Sequence, residues 1–394
     1  MFLTLNSCGD KYPSEECLLL LLYQTYGFSI EKFRAYVTPY FKETSTDISR
    51  LSDSRSDLRL VKTSGIDAWG THEVLNTNKI NLKYTSGVEF YQDSNKGLRD
   101  GVQVGAFPNG DSDYYGLYLH PSLLINKKLE LVTGLRYDRL ISKDQNRNFG
   151  ETDNSAFSGK LYVNYFVDDN TLLFAGWGQG FNAPRLQDLY ITDLHFPGNF
   201  FVPNPNLRPE KSNSIEVGGK KDWSLGKFGD LSFKANFFHT EATDFINRQV
   251  LPTTTVFINQ DEVDLSGNEL SLKYTKDAFD LELNYGQTRS RNKLTSEPLG
   301  DTAPDKYSLN MSYLLNKNLK ISTSSIFVER QDRVPDFLEE SPSFFVQNLF
   351  VSYEWKKTNF QLSARNLFDK NYTPFGSGVP SVGRNIRLSV VSHF

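Results

Sequence analysis

From residue 80 to the C-terminus, apolar and polar side chains alternate with a period of two, the pattern of strands whose two faces meet unlike surroundings. Within 81–91, Leu82, Tyr84, Val88 and Phe90 share one face, and Asn81, Lys83, Thr85 and Glu89 share the other. The same division sets Leu129, Leu131, Leu135 and Tyr137 against Glu130, Arg136 and Asp138. It sets Leu231, Phe233, Ala235 and Phe237 against Ser232, Lys234 and Asn236, and Leu349, Val351, Tyr353 and Trp355 against Asn348, Ser352 and Glu354. About fourteen such segments are predicted beyond residue 80, each close to the roughly 9 to 11 residues with which a tilted strand crosses a bilayer. Residues 34–42 and 58–69, joined by the Ser/Asp-rich stretch 44–57, bring the prediction to about sixteen strands.

The connections carry an independent signal. Asn126-Lys127-Lys128, Asp168-Asp169-Asn170, Lys276-Asp277-Ala278, residues 315–318 and Lys356-Lys357-Thr358 read as tight turns. Between them fall long polar loops at 95–112, 139–155, 181–211, 244–262, 288–304, 328–343 and 368–383. Alternation of short and long connections predicts an all-β, antiparallel transmembrane β-barrel with periplasmic turns and extracellular loops. A soluble sandwich has no reason to gather its long loops at one end. Leu82, Phe90, Phe233, Leu272, Leu349 and Phe394 are then expected to face lipid, and Lys83, Glu89, Lys234 and Glu354 to face inward.

Composition agrees. Aromatic residues are 14% of the 394, with 20 Tyr and 30 Phe, while hydrophobic residues are only 38%. Mean hydropathy is −0.46. The longest apolar run, Cys17 to Tyr23, is far below the roughly 20 residues of a spanning helix. A net charge of −4 without a basic run argues against nucleic acid as a partner. Cys8 and Cys17 have no metal-ligand spacing, and a disulfide between them stays open. The apolar Leu18 to Leu22 follows two acidic residues and leads to no small-residue cleavage site, so 1–28 reads as an atypical segment outside the receptor proper, with the barrel at 29–394. No Gly-x-Ser-x-Gly, His-Glu-x-x-His or phosphate loop occurs, so no enzyme and no intrinsic cofactor are expected. Gly176-x-Gly178-x-Gly180 ends an alternating strand and reads as small residues on its inner face.

Three segments then resemble the TonB-dependent outer-membrane receptor family. Arg365-Asn366-Leu367-Phe368-Asp369-Lys370-Asn371-Tyr372 resembles its penultimate-strand motif. The terminal segment 383–394 places Ile386, Leu388, Val390 and Phe394 on one face and ends on an aromatic, as strands read by the outer-membrane assembly machinery do. The third lies within 180–218, where Phe181-Asn182-Ala183-Pro184 and Asn204-Pro205-Asn206-Leu207 resemble two boxes of the family's haem and haemoglobin receptors. In those receptors a haem-ligating histidine lies between the boxes. Here that position implies His195, with Phe181, Tyr190, Phe196 and Asn204 supporting the ligand loop. Imidazole is a standard axial ligand of haem iron, and Tyr190, Phe196, Phe200 and Phe201 offer flat apolar surface for a porphyrin. Asn182 stands where the first box usually has arginine, so it is expected to act through loop geometry. His72, His120, His239 and His393 read as structural, and a solvated loop position remains the plain alternative for His195.

The resemblance implies a receptor in the Gram-negative outer membrane that imports haem or haem-protein iron. It also implies a 22-stranded whole, a plug domain and a TonB box through which the TonB–ExbB–ExbD system supplies energy; no plug is visible in this sequence. A receptor fragment is therefore expected. The alternatives are a ferric-siderophore or cobalamin receptor of the same fold, a passive channel, and a surface adhesin.

Overall fold

The structure is a computed structural model that describes residues 2–7, 15–49, 55–145, 149–300, 302–335, 338–377 and 379–392. Among them the chain is almost wholly strand. One sheet of 22 strands holds it, with a single α-helix, Leu186–Tyr190, and one 3-10 turn, Gly226–Phe228. No helix among the described residues is long and apolar enough to cross a membrane, which bears on helices only. The expected all-β antiparallel architecture is observed. Sixteen long strands run between Phe33 and Ser392, as the alternation predicts.

Six further strands were not expected. Four are short pieces, Tyr26–Ile30, Val102–Gln103, Asp193–Phe196 and Asn199–Val202. The other two, Phe2–Ser7 and Glu15–Tyr23, lie within the segment 1–28. Glu15–Tyr23 pairs antiparallel with Phe33–Ser49, and Phe2–Ser7 pairs with residues 18–23. The unbroken run Leu18 to Leu22 has no alternation, so a pattern search cannot register it as a strand. Cys8, His393 and Phe394 lie outside the described residues, so the expected facing of Phe394 has no counterpart here.

The connections follow the predicted alternation. The tight turns use left-handed residues, Asn126 (φ 51°) and Lys127 (φ 57°), Asp277 (φ 50°) and Lys356 (φ 54°), the geometry that matches the twist of two paired strands. Two expected loops shrink markedly, the first from 139–155 to 145–150. Residues 244–262 continue the ladder of Asp230–Val250 and Thr254–Lys276 and leave only 251–253 as the turn. Hydrophobic alternation marks where a strand meets lipid, whereas backbone pairing continues beyond that depth.

The chain forms two compact units, each considered by itself: Met1–Val163 with Trp177–Asn213 and Ala242–Glu262, and Asn164–Gly176 with Ser214–Glu241 and Val263–Phe394. In the first, the strand register stacks apolar side chains into rows. Phe90 faces Tyr115, Val88 faces Leu117, Leu117 faces Tyr137, and Leu119 faces Leu135. These rows are open to the surroundings: Val88 is 51% exposed, Leu117 56% and Leu135 68%. The opposite face is polar and more buried. There Arg136 donates to Glu89 at 2.7 Å and to Asp138 at 2.7 Å, and Tyr114 donates to Asp138. Gly65 lets Tyr40 lie against this face, since a Cβ there would stand 2.6 Å from the ring. Such a distribution is inverted relative to a soluble protein, in which an apolar face this large would be covered.

The second unit repeats the inversion. Leu272 faces Leu283 and Leu349 faces Ala364, in a face that also exposes Phe233, Phe237, Tyr353 and Trp355. Aromatic rows bound that face. Toward the tight turns stand Trp223, Phe228, Tyr313, Tyr353 and Trp355, all exposed. Toward the long loops Tyr285, Tyr307 and Phe327 form a chain of ring contacts at 4.7 and 6.1 Å. The nine residues from Phe345 to Tyr353 span roughly 26 Å along the strand, close to the height of an outer-membrane apolar band. In the first unit, Phe90–Tyr115 and Tyr137–Phe157 make the corresponding row at 5.1 and 4.8 Å. Two residues beyond it the same face turns ionic, with Arg139 and Asp153 paired at 2.6 Å.

In the second unit, Asp305 collects the loop ends. It accepts hydrogen bonds from Gln287 (3.0 Å), Arg289 (2.9 Å through Nη2) and Arg333 (3.2 Å), and Tyr285 donates to it at 3.2 Å. The Arg289 guanidinium holds its carboxyl down at about 2. A carboxyl depressed in the folded state stabilises fully above its unfolded value, near 4, and loses that contribution as pH falls toward 2. Asp305→Asn is therefore expected to flatten the fall in stability between about pH 4 and pH 2; an unchanged slope in acid denaturation curves would count against this hub.

Leu135→Arg tests the exposed apolar face. An arginine there is expected to cost about 2–4 kcal/mol in urea unfolding from phospholipid vesicles. A cost within about 0.5 kcal/mol, as at an ordinary water-exposed leucine, would contradict a lipid-facing position.

Candidate functional site

The stretch between the two boxes is built around a small apolar core in the first unit. Pro184 is buried, and Arg185 opens the helix by bonding Asp188 through its backbone N–H and guanidinium, each at 3.0 Å. The helix sets Leu186, Leu189 and Tyr190 against Leu207 of the second box, and Phe149, Ile246 and Phe257 pack on the cluster. Tyr190 is fully buried. Its hydroxyl donates to the Ser142 carbonyl at 3.2 Å and lies 2.9 Å from Thr152 Oγ1. Burial raises its pKa. Its contacts are with this core and not with His195, so it offers neither a porphyrin surface nor a substitute ligand.

Beyond the helix the chain makes a short hairpin, Asp193–Phe196 and Asn199–Val202, turned at Gly198 (φ 84°). Its second strand runs parallel to the start of Thr254–Lys276, with Phe201 beside Thr255. Arg99 anchors the first strand by bridging Asp193 at 3.0 Å and Asp57 at 2.8 Å. The extended hairpin at 244–262 is thus the platform on which the His195 segment rests.

His195 is half-buried on that platform. Its Nδ1 lies 2.9 Å from Thr255 Oγ1, and its ring packs against Phe201 at 4.6 Å and Phe196 at 4.9 Å. Burial and the nearby Arg248 guanidinium lower the imidazole pKa, against a smaller opposing hydrogen bond with Asn199. Both causes favour the neutral ring, the form that can donate a lone pair to a metal. Phe196 and Phe200 stay exposed beside it, and Phe201 stacks over Phe257 at 6.2 Å. The arrangement offers one imidazole and apolar ring surface to a flat ligand.

The boxes serve as latches. Asn204 donates through Nδ2 to the Phe257 carbonyl at 2.9 Å and through its backbone N–H to the Leu189 carbonyl at 2.9 Å. Arg208 donates to Asp244 at 2.8 Å, and Asn259 bonds the Arg208 and Asp244 carbonyls at 2.8 and 2.7 Å. Glu210 joins the first box to the platform: it accepts from Asn182 Nδ2 at 2.6 Å and from the Ile246 N–H at 2.7 Å. Asn182 is thereby tied to the residue that also holds the Ile246 amide. Phe181 is half-buried near the end of Thr171–Asn182.

Of the residues singled out by sequence, the structure brings together His195, Phe196 and Phe201, with Asn204 as a latch. Asn199, Thr255 and Arg248 were missed, because a pairing some fifty to sixty positions apart has no local signal. His72 sits between Phe33 and Tyr84, and His120 beside Tyr118. In the second unit His239, Glu241 and Asp264 cluster with Lys293, which pairs with Glu241 at 2.9 Å and Asp264 at 3.3 Å.

An antiparallel sheet with an exposed apolar face, aromatic borders, tight turns at one end and structured loops at the other defines the class of transmembrane β-barrel proteins. Within that class, the chain belongs to the TonB-dependent receptor-like β-barrel family, whose model matches residues 19–367. It is 27% identical over 420 residues to heme/hemopexin utilization protein C of Haemophilus influenzae, covering 92% of this chain and 57% of that protein. It is 26% identical over 380 residues to the hemin receptor of Yersinia pestis, with coverage of 91% and 55%. Among solved structures it is similar to the Serratia marcescens hemophore receptor HasR in complex with HasA and heme, with a TM-score of 0.80, 17% identity, and 95% and 65% of the two chains covered. The copper transporter OprC aligns with a TM-score of 0.77 at 18% identity over 96% and 65%. These last two likenesses concern the fold. The chain spans little more than half the length of the curated relatives it matches.

Removing the Glu210 carboxylate frees both Asn182 and the Ile246 N–H. Glu210→Ala is expected to lower the opening free energy of the Ile246 amide by about 1.5–3 kcal/mol, the range for hydrogen bonds to a charged group. Hydrogen exchange resolved to single amides checks this; undiminished protection at Ile246 would show that the latch does not hold the platform.

Proposed function

We propose that this chain is the barrel portion of an outer-membrane receptor that takes up haem or haem-protein-derived iron, with His195 as an axial ligand to the iron. The observation that supports it best is the His195 imidazole, held on its Nδ1 side by Thr255 and flanked by Phe196 and Phe201, in a loop whose boxes bond to the hairpin at 244–262. The names of the Haemophilus and Yersinia relatives point the same way. Imidazole supplies one coordinate bond, exposed Phe200 and Phe196 supply apolar area for the macrocycle, and Arg248 supplies a cation for its carboxylates. In this reading the cargo is bound and released without covalent change. Energy comes from the TonB–ExbB–ExbD system, acting through the plug and TonB box of a whole receptor.

A haem titration of the chain in lipid nanodiscs, wild type beside His195→Ala, tests this reading. Wild type is expected to shift the Soret band on binding, and the variant to bind at least about tenfold more weakly with an altered band, as loss of an axial nitrogen requires. Identical spectra and affinities would leave His195 an ordinary loop residue and turn the assignment to a ferric siderophore.

A further inference from the structure

We infer that Asn199 and Thr255 are positioning residues that fix His195 in the tautomer whose Nε2 carries the free lone pair. Its purpose rests on the haem reading above; its test does not. The Leu251 carbonyl can only accept, so Asn199, 2.6 Å away, must present Nδ2 to it. That fixes the amide orientation and leaves Oδ1 toward Thr255 Oγ1, at 2.6 Å. Oδ1 also only accepts, so the single Thr255 hydroxyl proton goes to Asn199. What Thr255 then offers His195 is an oxygen lone pair, 2.9 Å from Nδ1. A neutral imidazole has one N–H, and this contact places it on Nδ1. Nε2 is left as the basic nitrogen.

Both relay residues are completely buried, 0% exposed, so water does not compete for these bonds. Both are also held by the ladder: Thr255 lies beside Phe201, and Asn199 pairs with Phe196. The two strand partners carry the rings that pack against His195. One set of backbone bonds therefore sets the ring's position, its walls and its proton. Metal-binding imidazoles depend on such partners, and removing one typically costs about 10–100-fold in metal affinity.

The test is nitrogen-15 NMR of the His195 ring in the ligand-free full chain, in lipid nanodiscs. Wild type is expected to show a protonated Nδ1 and an unprotonated Nε2. Thr255→Val keeps the side chain's shape and removes the acceptor; it is expected to convert His195 wholly or partly to the Nε2–H form, and Thr255→Ser to restore the wild-type pattern. Haem affinity is expected to fall by about 10–100-fold in Thr255→Val and Asn199→Ala and to return in Thr255→Ser. A wild-type ring protonated on Nε2, or a Thr255→Val spectrum unchanged from wild type, overturns the inference whatever haem does. The wild-type spectrum alone decides if a variant folds poorly. An Nδ1–H ring in a chain that binds no haem would uphold the relay and remove the haem reading instead.

Discussion

In hydrocarbon, a backbone N–H or C=O without a partner costs several kcal/mol, and no water is present to relieve it. A chain whose side chains seek lipid on one face must therefore pair every spanning residue with a neighbouring strand. That requirement accounts for the long uninterrupted registers, such as Ser56–Asn76 against Ile80–Arg99, and for the near absence of helix among the described residues. It also explains why exposure and polarity are inverted. Leu135 and Val88 stand open because lipid covers them, while Arg136, Glu89 and Asp138 bind one another on the protected face. The aromatic rows mark where that regime ends. Beyond Tyr137 and Phe157 the next pair on the same face is an ion pair, Arg139 with Asp153.

The loops inherit their order from the strands. Within the first unit the strands of 242–262 pair as a hairpin, to which Asn204 of the second box and the residues just after that box bind. Asn204, Arg208 and Glu210 each contact it within a few residues of one another. The segment carrying His195 is then pinned from two directions, by a parallel strand contact on the hairpin and by the Arg99–Asp193 ion pair. The boxes hold the loop, and the imidazole between them owes its geometry to Thr255 and Asn199, which lie outside both.

Much of this was legible in the sequence. Period-two alternation located sixteen long strands, since each has one face in lipid, and the Asn/Asp/Lys turns declared the short connections. What escaped notice follows from the same logic. Leu18 to Leu22 does not alternate, so Glu15–Tyr23 went unread as a strand. Residues 244–262 place apolar side chains next to one another, Phe245 with Ile246 and Val256 to Ile258, without a period of two, and looked like a free loop, although their backbone stays paired. Tyr190 seemed suited to a porphyrin because it lies near His195 in sequence; a helical turn carries it into the core with Leu186 and Leu189. Asn199 and Thr255 are linked only through the fold. Alternation reports the environment of a face, and it holds no information about which distant loop residues meet.

The central claim is that the exposed apolar face of this sheet is a lipid face. Spin labels placed one at a time along Leu129–Asp144 in lipid nanodiscs test it most directly, through their accessibility to oxygen and to a water-soluble nickel complex. The account predicts a period of two from 131 to 138: labels at Leu131, Thr133, Leu135 and Tyr137 accessible to oxygen and closed to nickel, with those at Val132, Arg136 and Asp138 reversed or protected. Labels at the odd positions open to nickel, or closed to both reagents as in a buried protein core, would contradict it.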